Sequence, residues 1–318
     1  MIKNKTITHI IDLFFITRPV LLIPVWGFSA FGIFSVENTL AIQVNVFSAF
    51  LCLLFSLSVA SVYIINQVCD IDADKENGGF PLLVRGNIPV SRATIVALCC
   101  AVVSVSIPVI LQKYQLALLS LLALLLGILY SCKPTRFSGK PFLDFFSNAV
   151  GYGVIAFGAG WYIAGESIFS FQFINHALPY FLLMCSGSIS STLPDIEGDR
   201  KDEKITTAVY LGKRNAHILA LLLLIIAAFA SALQSQYIPF FCATLSLPIY
   251  VLFLLHPSEV FMEATYKIGG SLCIVASALA VPALFGGATL VFAATWLYFR
   301  RRYGIIYPSL IPVNNNEK

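Results

Sequence analysis

Apolar runs long enough to cross a bilayer follow one another from near Ile16 almost to Arg300. A hydrocarbon core of about 30 Å takes roughly 17 to 25 helical residues, and lipid offers no partner for an open backbone amide. A chain made of such runs is confined to one solution, an all-α bundle of membrane-spanning helices. Composition agrees, because 58% of the 318 residues are hydrophobic and 11% charged, against about 25% charged in soluble domains. No stretch remains for a separate soluble domain, so residues 1–318 read as a single integral-membrane unit.

Runs and breaks predict nine spans, near residues 16–34, 46–66, 90–111, 114–131, 142–164, 173–193, 215–233, 237–255 and 267–285. The shorter piece from Gly287 to Phe299 is a tenth span, a re-entrant segment or the end of a kinked ninth. Lys3, Lys5 and Arg18 precede or open the first span. Lys75, Arg85, Arg92, Lys133, Arg136, Lys140, Arg200, Lys201, Lys204, Lys213, Arg214 and Lys267 fall in even-numbered loops, and the odd loops hold only Lys113. The positive-inside rule places the amino terminus and the even loops in the cytoplasm; in a bacterium the membrane would be the cell inner membrane. If Arg300 to Arg302 are cytoplasmic too, ten crossings fit better than nine.

The first residues lead into a full span rather than a short apolar core with a small-residue cleavage site, so no cleaved signal peptide is expected. The net charge of +4 gives no reason to invoke nucleic acid, since topology accounts for the basic residues. The eight cysteines form no Cys-x-x-Cys pair and most lie in apolar runs. They are expected to be small packing residues, not metal ligands or disulfides.

Against this apolar background stand two acidic motifs, Asn66-Gln-Val-Cys-Asp70-Ile-Asp72-Ala-Asp74 and Asp195-Ile-Glu197-Gly-Asp199-Arg-Lys-Asp202. A carboxylate costs about 2.5 to 3.5 kcal/mol at a membrane helix centre, so concentrated acid beside apolar spans needs a compensating partner. Both motifs fall in even loops and share one face. Residues four apart on an α-helix differ by a net rotation of about 40°. Asn66, Asp70 and Asp74 therefore form one stripe, Asp195, Asp199 and Asp202 another, and Asp72 and Glu197 turn away. Gly78-Gly79 marks the end of the first stripe's helix. Facing carboxylates repel unless cations intervene, and oxygen-only ligands with open positions suit Mg²⁺ that shares substrate phosphates. A polar helix end in water explains either motif alone; the pair points to a shared metal and diphosphate site.

Such a site needs cations on the same face. Tyr130-Ser-Cys-Lys133-Pro-Thr-Arg136 supplies a tyrosine and two of them, with Arg18, Arg85, Arg200 and Lys201 as further candidates. Lys140, Arg92 and Lys213 read as topological anchors. Tyr63, one turn before Asn66, and Tyr130 are the aromatic residues nearest the motif face, where ordinary packing is the alternative reading. Asp144, Asn148 and Tyr152 form a polar stripe that reads as helix-to-helix cement or as an acceptor contact. Gly151, Gly153, Gly158 and Gly160 fit close helix approach.

The first motif resembles the NQxxDxxxD signature of the UbiA-type intramembrane prenyltransferases. Asp195-Ile-Glu-Gly-Asp199-Arg-Lys, followed by Thr206-Thr-Ala-Val-Tyr-Leu-Gly-Lys213, is similar to their second DxxxD motif, and Arg18-Pro19 and the Tyr130-Ser loop also fit. The resemblance implies about nine helices around a central cavity, two Mg²⁺ ions, a prenyl diphosphate donor and a hydrophobic or aromatic, quinone-precursor-like acceptor. It implies that Asn66, Asp70 and Asp74 serve one metal and Asp195 and Asp199 the other, with Lys133 and Arg136 assisting the diphosphate. Within the same fold, a non-aromatic lipid or carotenoid acceptor and terpene cyclisation stay open. A cation-coupled transporter is the competing class, and it predicts acids near mid-membrane.

Overall fold

The computed structural model describes residues 5–71 and 81–308, and all regular structure within them is helical. An amphipathic α1 (Lys5–Phe15) leads to α2 (Leu22–Glu37), α3 (Val46–Cys69), α4 (Val90–Ile110) and α5 (Tyr114–Ser131). Next, α6 (Leu143–Ala149) passes through a π-helical turn (Val150–Ala156) into α7 (Phe157–Ile163). Then come α8 (Phe171–Thr192) and the short α9 (Ile196–Lys201) and α10 (Thr207–Leu211). The chain closes with α11 (Lys213–Leu233), α12 (Tyr237–Leu255), α13 (Glu259–Ala280) and α14 (Ala283–Tyr303).

Seven of the described segments are long and apolar enough to cross a membrane. Large side chains such as Val102, Ile110, Leu245 and Leu290, between 57% and 73% exposed, point outward rather than into a core. Contiguous exposed apolar surface of this kind is compatible with lipid and not with water. The protein is a multi-pass integral membrane protein.

Two sequence expectations need correction. The ninth span, expected over 267–285, is instead α13, which starts at Glu259; the Gly287–Phe299 piece is the middle of the separate α14. Ser258 caps α13 by accepting the Phe261 N–H at 3.3 Å, and the polar first turns hide this start from an apolar-run reading. Pro282 then precedes α14, where its missing N–H costs the helix nothing. The last turn of α14 returns to α1: fully buried Asp12 accepts hydrogen bonds from Tyr298 Oη at 2.5 Å and Arg302 Nη2 at 3.1 Å. This contact brings the end of α14 beside the start of the chain, and Ala283–Tyr303 is one of the seven segments long and apolar enough to cross a membrane.

The second correction concerns cysteine, because Cys69 and Cys132 form a disulfide with Cα atoms 5.6 Å apart. Cys69 is the last residue of α3 and Cys132 follows α5, so the bridge joins two helix ends that sequence spacing alone does not bring together.

Packing among the helices is close enough to require glycine at particular points. A Cβ on Gly160 of α7 would overlap the Ser29 carbonyl of α2, and one on Gly153 would lie 2.5 Å from the Phe181 Cα of α8. Ser29 Oγ uses the proximity to donate to the Ala156 carbonyl at 3.0 Å, the small-residue and hydroxyl packing typical of membrane helices. Around this contact Phe31, Phe157 and Tyr180 stack, with Tyr180 5.0 Å from each of the other rings.

Candidate active site

Helix direction decides where the acidic motifs lie. α3 and α8 both run toward the same end of the bundle, and each motif sits where its helix stops. α3 ends at Cys69 and Asp70 is its C-cap, with the Asp70 N–H donating to the Asn66 carbonyl at 3.0 Å. Asn66 Nδ2 donates to Asp70 Oδ2 at 3.1 Å and to Ser131 Oγ, at the end of α5, at 3.2 Å. The Asn66–Asp70 half of the expected stripe is therefore formed. Asp72, Asp74 and Gly78-Gly79 lie outside the described residues.

The second motif is not one continuous helix with α8. α8 stops at Thr192, Asp195 caps the separate α9, and Asp202 ends it. The Asp199 N–H donates to the Asp195 carbonyl at 2.8 Å, which keeps these two acids one helical turn apart on the same side. Burial pushes the Asp199 carboxyl above the usual carboxylate range, opposed by the Thr206 hydroxyl and Lys204 and reinforced by the nearby negative charges of Asp195 and Asp202. Asp195 is likewise raised by desolvation, with Lys204 pulling it back. Two carboxyls held in this way gain from a nearby cation.

The segment between α5 and α6 joins the two motifs. Arg136 Nη2 lies 3.0 Å from Asp70 Oδ1 on the first-motif side. On the other side the Gly139 carbonyl accepts the Ile205 N–H at 3.1 Å, just beyond the second motif. Both Arg18 and Arg136 have left-handed backbones, at φ 51° and 36°. For non-glycine residues that conformation persists where surroundings enforce it, often at functional sites.

Beneath Asn66 is a cavity of about 200 Å³, lined by Arg18, Tyr63, Tyr130, Asn148 and Tyr152 among apolar side chains. Tyr63 Oη donates to the Leu21 carbonyl at 2.9 Å and lies 3.1 Å from Tyr152 Oη; Asn148 Nδ2 donates to Tyr130 Oη at 3.4 Å. A second, more apolar cavity of about 270 Å³ lies between α2, α8, α12 and α13, bounded by Ser191 and Tyr266 near the second motif and walled by Gly269 and Gly270. Phe28 lines the second cavity and Tyr152 the first, and their rings, 5.7 Å apart, stand between the two.

The sequence candidates thus divide. Asn66, Asp70, Arg136, Arg18, Tyr63, Tyr130 and Asn148 gather on the first-motif side. Asp195 and Asp199 gather on the second, whereas Arg200 and Lys201 are exposed on α9 and Lys133 is exposed in its loop. Arg85 stands 5.4 Å over the Tyr303 ring of α14. Sequence reasoning passed over Lys204 as a topological charge, yet it is the cation facing Asp195 and Asp199, with its Nζ 3.8 Å from Asp202 Oδ2. Among the described residues no three His, Cys, Asp or Glu side chains converge on one point.

Comparison with known proteins gives this geometry a context. The chain is 33% identical over 178 residues to a probable homogentisate phytyltransferase 2 of Oryza sativa subsp. japonica, a match covering 53% of this chain and 46% of that protein. It is 32% identical over 186 residues to a digeranylgeranylglyceryl phosphate synthase of Sulfolobus acidocaldarius, covering 57% and 63%. The chain thus spans roughly half to two thirds of the length of these relatives. A solved UbiA homolog from Archaeoglobus fulgidus, bound to GPP and Mg2+, superposes with a TM-score of 0.63 over 85% of this chain and 99% of that one, at 21% identity, and shows the shared fold. The profile of the UbiA prenyltransferase family matches residues 21–259. With three quarters of its length matched and the expected helical fold in place, the chain belongs to the UbiA prenyltransferase family.

Proposed function

We propose that the protein transfers a prenyl group from an allylic prenyl diphosphate to a lipophilic acceptor inside the membrane, with the diphosphate held between the two acidic motifs. One observation carries the reading: a single segment pairs Arg136 with Asp70 of the first motif and bonds Gly139 to Ile205 just beyond the second, and Asn66 of the first motif lines an apolar cavity. The relatives' names and the GPP and Mg2+ of the Archaeoglobus structure support donor and metal alike.

The donor set fits Mg²⁺. Asn66, Asp70, Asp195 and Asp199 offer only oxygen ligands once the Asn66 amide turns, and the raised carboxyls of Asp195 and Asp199 favour a neutralising cation. Asp74 is proposed as a further first-motif ligand. Magnesium, when bound, neutralises diphosphate charge and makes it a better leaving group. Arg136 and Lys204 would take up charge developing on the departing oxygens, with Lys133 and Arg18 at the rim and Arg200 and Lys201 in an outer ring of positive potential. The ring faces of Tyr63, Tyr130 and Tyr152 would shield the allylic cation, each by about 0.5 to 2 kcal/mol, while the surrounding helices exclude water.

In this reading the larger apolar cavity holds the prenyl chain, and the smaller one, with its tyrosine edges and Asn148, holds the acceptor. A cavity edged by tyrosine hydroxyls and the Asn148 amide favours an aromatic acceptor. The glyceryl phosphate relative supports a second reading, a polar lipid acceptor at the same site. The basic residues gathered at the motif end, with Lys113 at the opposite end, support a cytoplasmic amino terminus and cytoplasmic motifs.

Incubating the purified, lipid-reconstituted protein with several prenyl diphosphates, Mg²⁺, phenolic acids and glycerol phosphate lipids, followed by mass analysis, tests the proposal. A Mg²⁺-dependent prenylated product supports it and identifies the acceptor class. Cation-dependent flux across vesicles without any new carbon bond replaces it with the transporter reading.

A further inference from the structure

The buried carboxylate of Asp144 lies outside both cavities and both acidic motifs, yet its bonds lead to the second motif. Asp144 is 3% exposed at the start of α6. Its Oδ2 accepts the Thr207 N–H at 2.7 Å and its Oδ1 accepts the Thr207 hydroxyl at 2.5 Å. The Thr207 oxygen also accepts the Phe142 N–H at 2.7 Å, so its single proton is committed to Asp144.

The neighbouring threonine repeats the arrangement in the other direction. Thr206 Oγ1 accepts the Val209 N–H at 3.4 Å, which commits its proton to Asp199 Oδ2 at 3.1 Å. The same short segment is held at its start by the Lys204 N–H donating to the Asp199 carbonyl at 2.8 Å. Asp199 is thus oriented by a threonine whose backbone is fixed, one residue on, by a buried carboxylate from another helix.

We propose that Asp144, Thr207 and Thr206 form a positioning relay that sets the carboxylate orientation of Asp199 and thereby the divalent-cation affinity of the second motif. The inference rests on the reading of Asp199 as a metal ligand. Hydrogen bonds to ligating carboxylates fix their orientation, and removing such partners typically costs 10-fold to 100-fold in metal affinity or activity. Asp144→Asn leaves one acceptor oxygen for two donors, so either the Thr207 N–H faces an amide N–H or the Thr207 hydroxyl must turn its proton away from residue 144, while Thr207→Val removes the hydroxyl at nearly constant shape.

The test measures cation binding without turnover. The thermal midpoint of the reconstituted full-length protein is followed as Mg²⁺ is titrated in the presence of inorganic pyrophosphate. Thr206→Val, Thr207→Val and Asp144→Asn should each raise the half-saturating Mg²⁺ by about 10-fold. Thr207→Ser should restore the wild-type value, and Asp144→Asn combined with Thr206→Val should be no worse than the stronger single change. Unchanged half-saturation in a folded Thr206→Val protein, or multiplicative effects in the double variant, overturns the relay. If the other variants fail to fold, Thr206→Val and Thr207→Ser decide the question. A wild-type protein that shows no Mg²⁺-linked stabilisation overturns the metal reading itself, and is distinguishable from relay failure because no variant is involved.

Discussion

Arg136 and Asp70, 66 residues apart in sequence, are joined by a 3.0 Å ion pair at the junction of α3 with the α5–α6 segment. Both were separate candidates in the sequence, one for diphosphate and one for metal. Each neutralises the other in this pair. Under the proposed function, loading the site would exchange one ion pair for two, Asp70 with the cation and Arg136 with the diphosphate.

That exchange makes Arg136 more important to donor use than to folding. The pair is partly solvated, and such bridges contribute about 0 to 1 kcal/mol to stability. Arg136→Ala should lower kcat/KM for the donor by about 100-fold, the scale of losing one well-placed donor to developing negative charge. Lys140→Ala should stay near wild type. Equal losses in steady-state assays of the two variants would argue against a special position for Arg136.

Lys204 gives a parallel prediction on the opposite side. It opposes the raised affinity of Asp195 and Asp199 for protons, so Lys204→Met should push both carboxyls further up and weaken pyrophosphate binding. Pyrophosphate protection in a thermal-shift titration should fall by about 10-fold, whereas the exposed Lys201→Met should have little effect.

The direction of these two shifts fixes a pH dependence. An acid whose pKa is raised on folding destabilises the folded chain at neutral pH, and this cost is relieved as pH falls through the folded value toward the unfolded one. Metal binding needs the ionised form and so follows the opposite trend. Stabilisation by Mg²⁺ should therefore be larger near about pH 7.5 than near about pH 5, and should begin to fail above the ordinary carboxylate range. Measuring the Mg²⁺-induced change in thermal midpoint across that window checks the sign.

Close helix contact yields a stability prediction remote from the chemistry. Gly160→Ala sets a methyl against the Ser29 backbone carbonyl, which no rotamer can move, and should cost about 1 to 3 kcal/mol. Gly286→Ala, where nothing lies within 4 Å, should be neutral or slightly stabilising. Thermal unfolding in detergent distinguishes the two.

Much of this was legible because helix periodicity and membrane hydrophobicity are local properties. The apolar runs located most helices, and the steps of four identified Asn66 with Asp70 and Asp195 with Asp199. What periodicity does not contain is where a helix stops. α3 ends at Cys69 and α8 at Thr192, so Asp70 caps α3 and Asp195 opens a separate short helix instead of extending α8. Pairings across the fold were equally hidden. Nothing in the spacing of Cys69 and Cys132, Arg136 and Asp70, or Asp144 and Thr207 shows that they meet. Lys204 was missed for another reason: its topological role was sufficient to explain it, although its position five residues beyond Asp199 was a usable signal.

The central claim is that Asp70 and Asp199 hold one divalent-cation-bound diphosphate from opposite sides. Transfer of a labelled prenyl group in membranes carrying Asp70→Ala or Asp199→Ala tests it most directly. The account predicts that each variant loses about 100-fold or more of the Mg²⁺-dependent product while remaining folded; near-normal Mg²⁺-dependent turnover in both would contradict it.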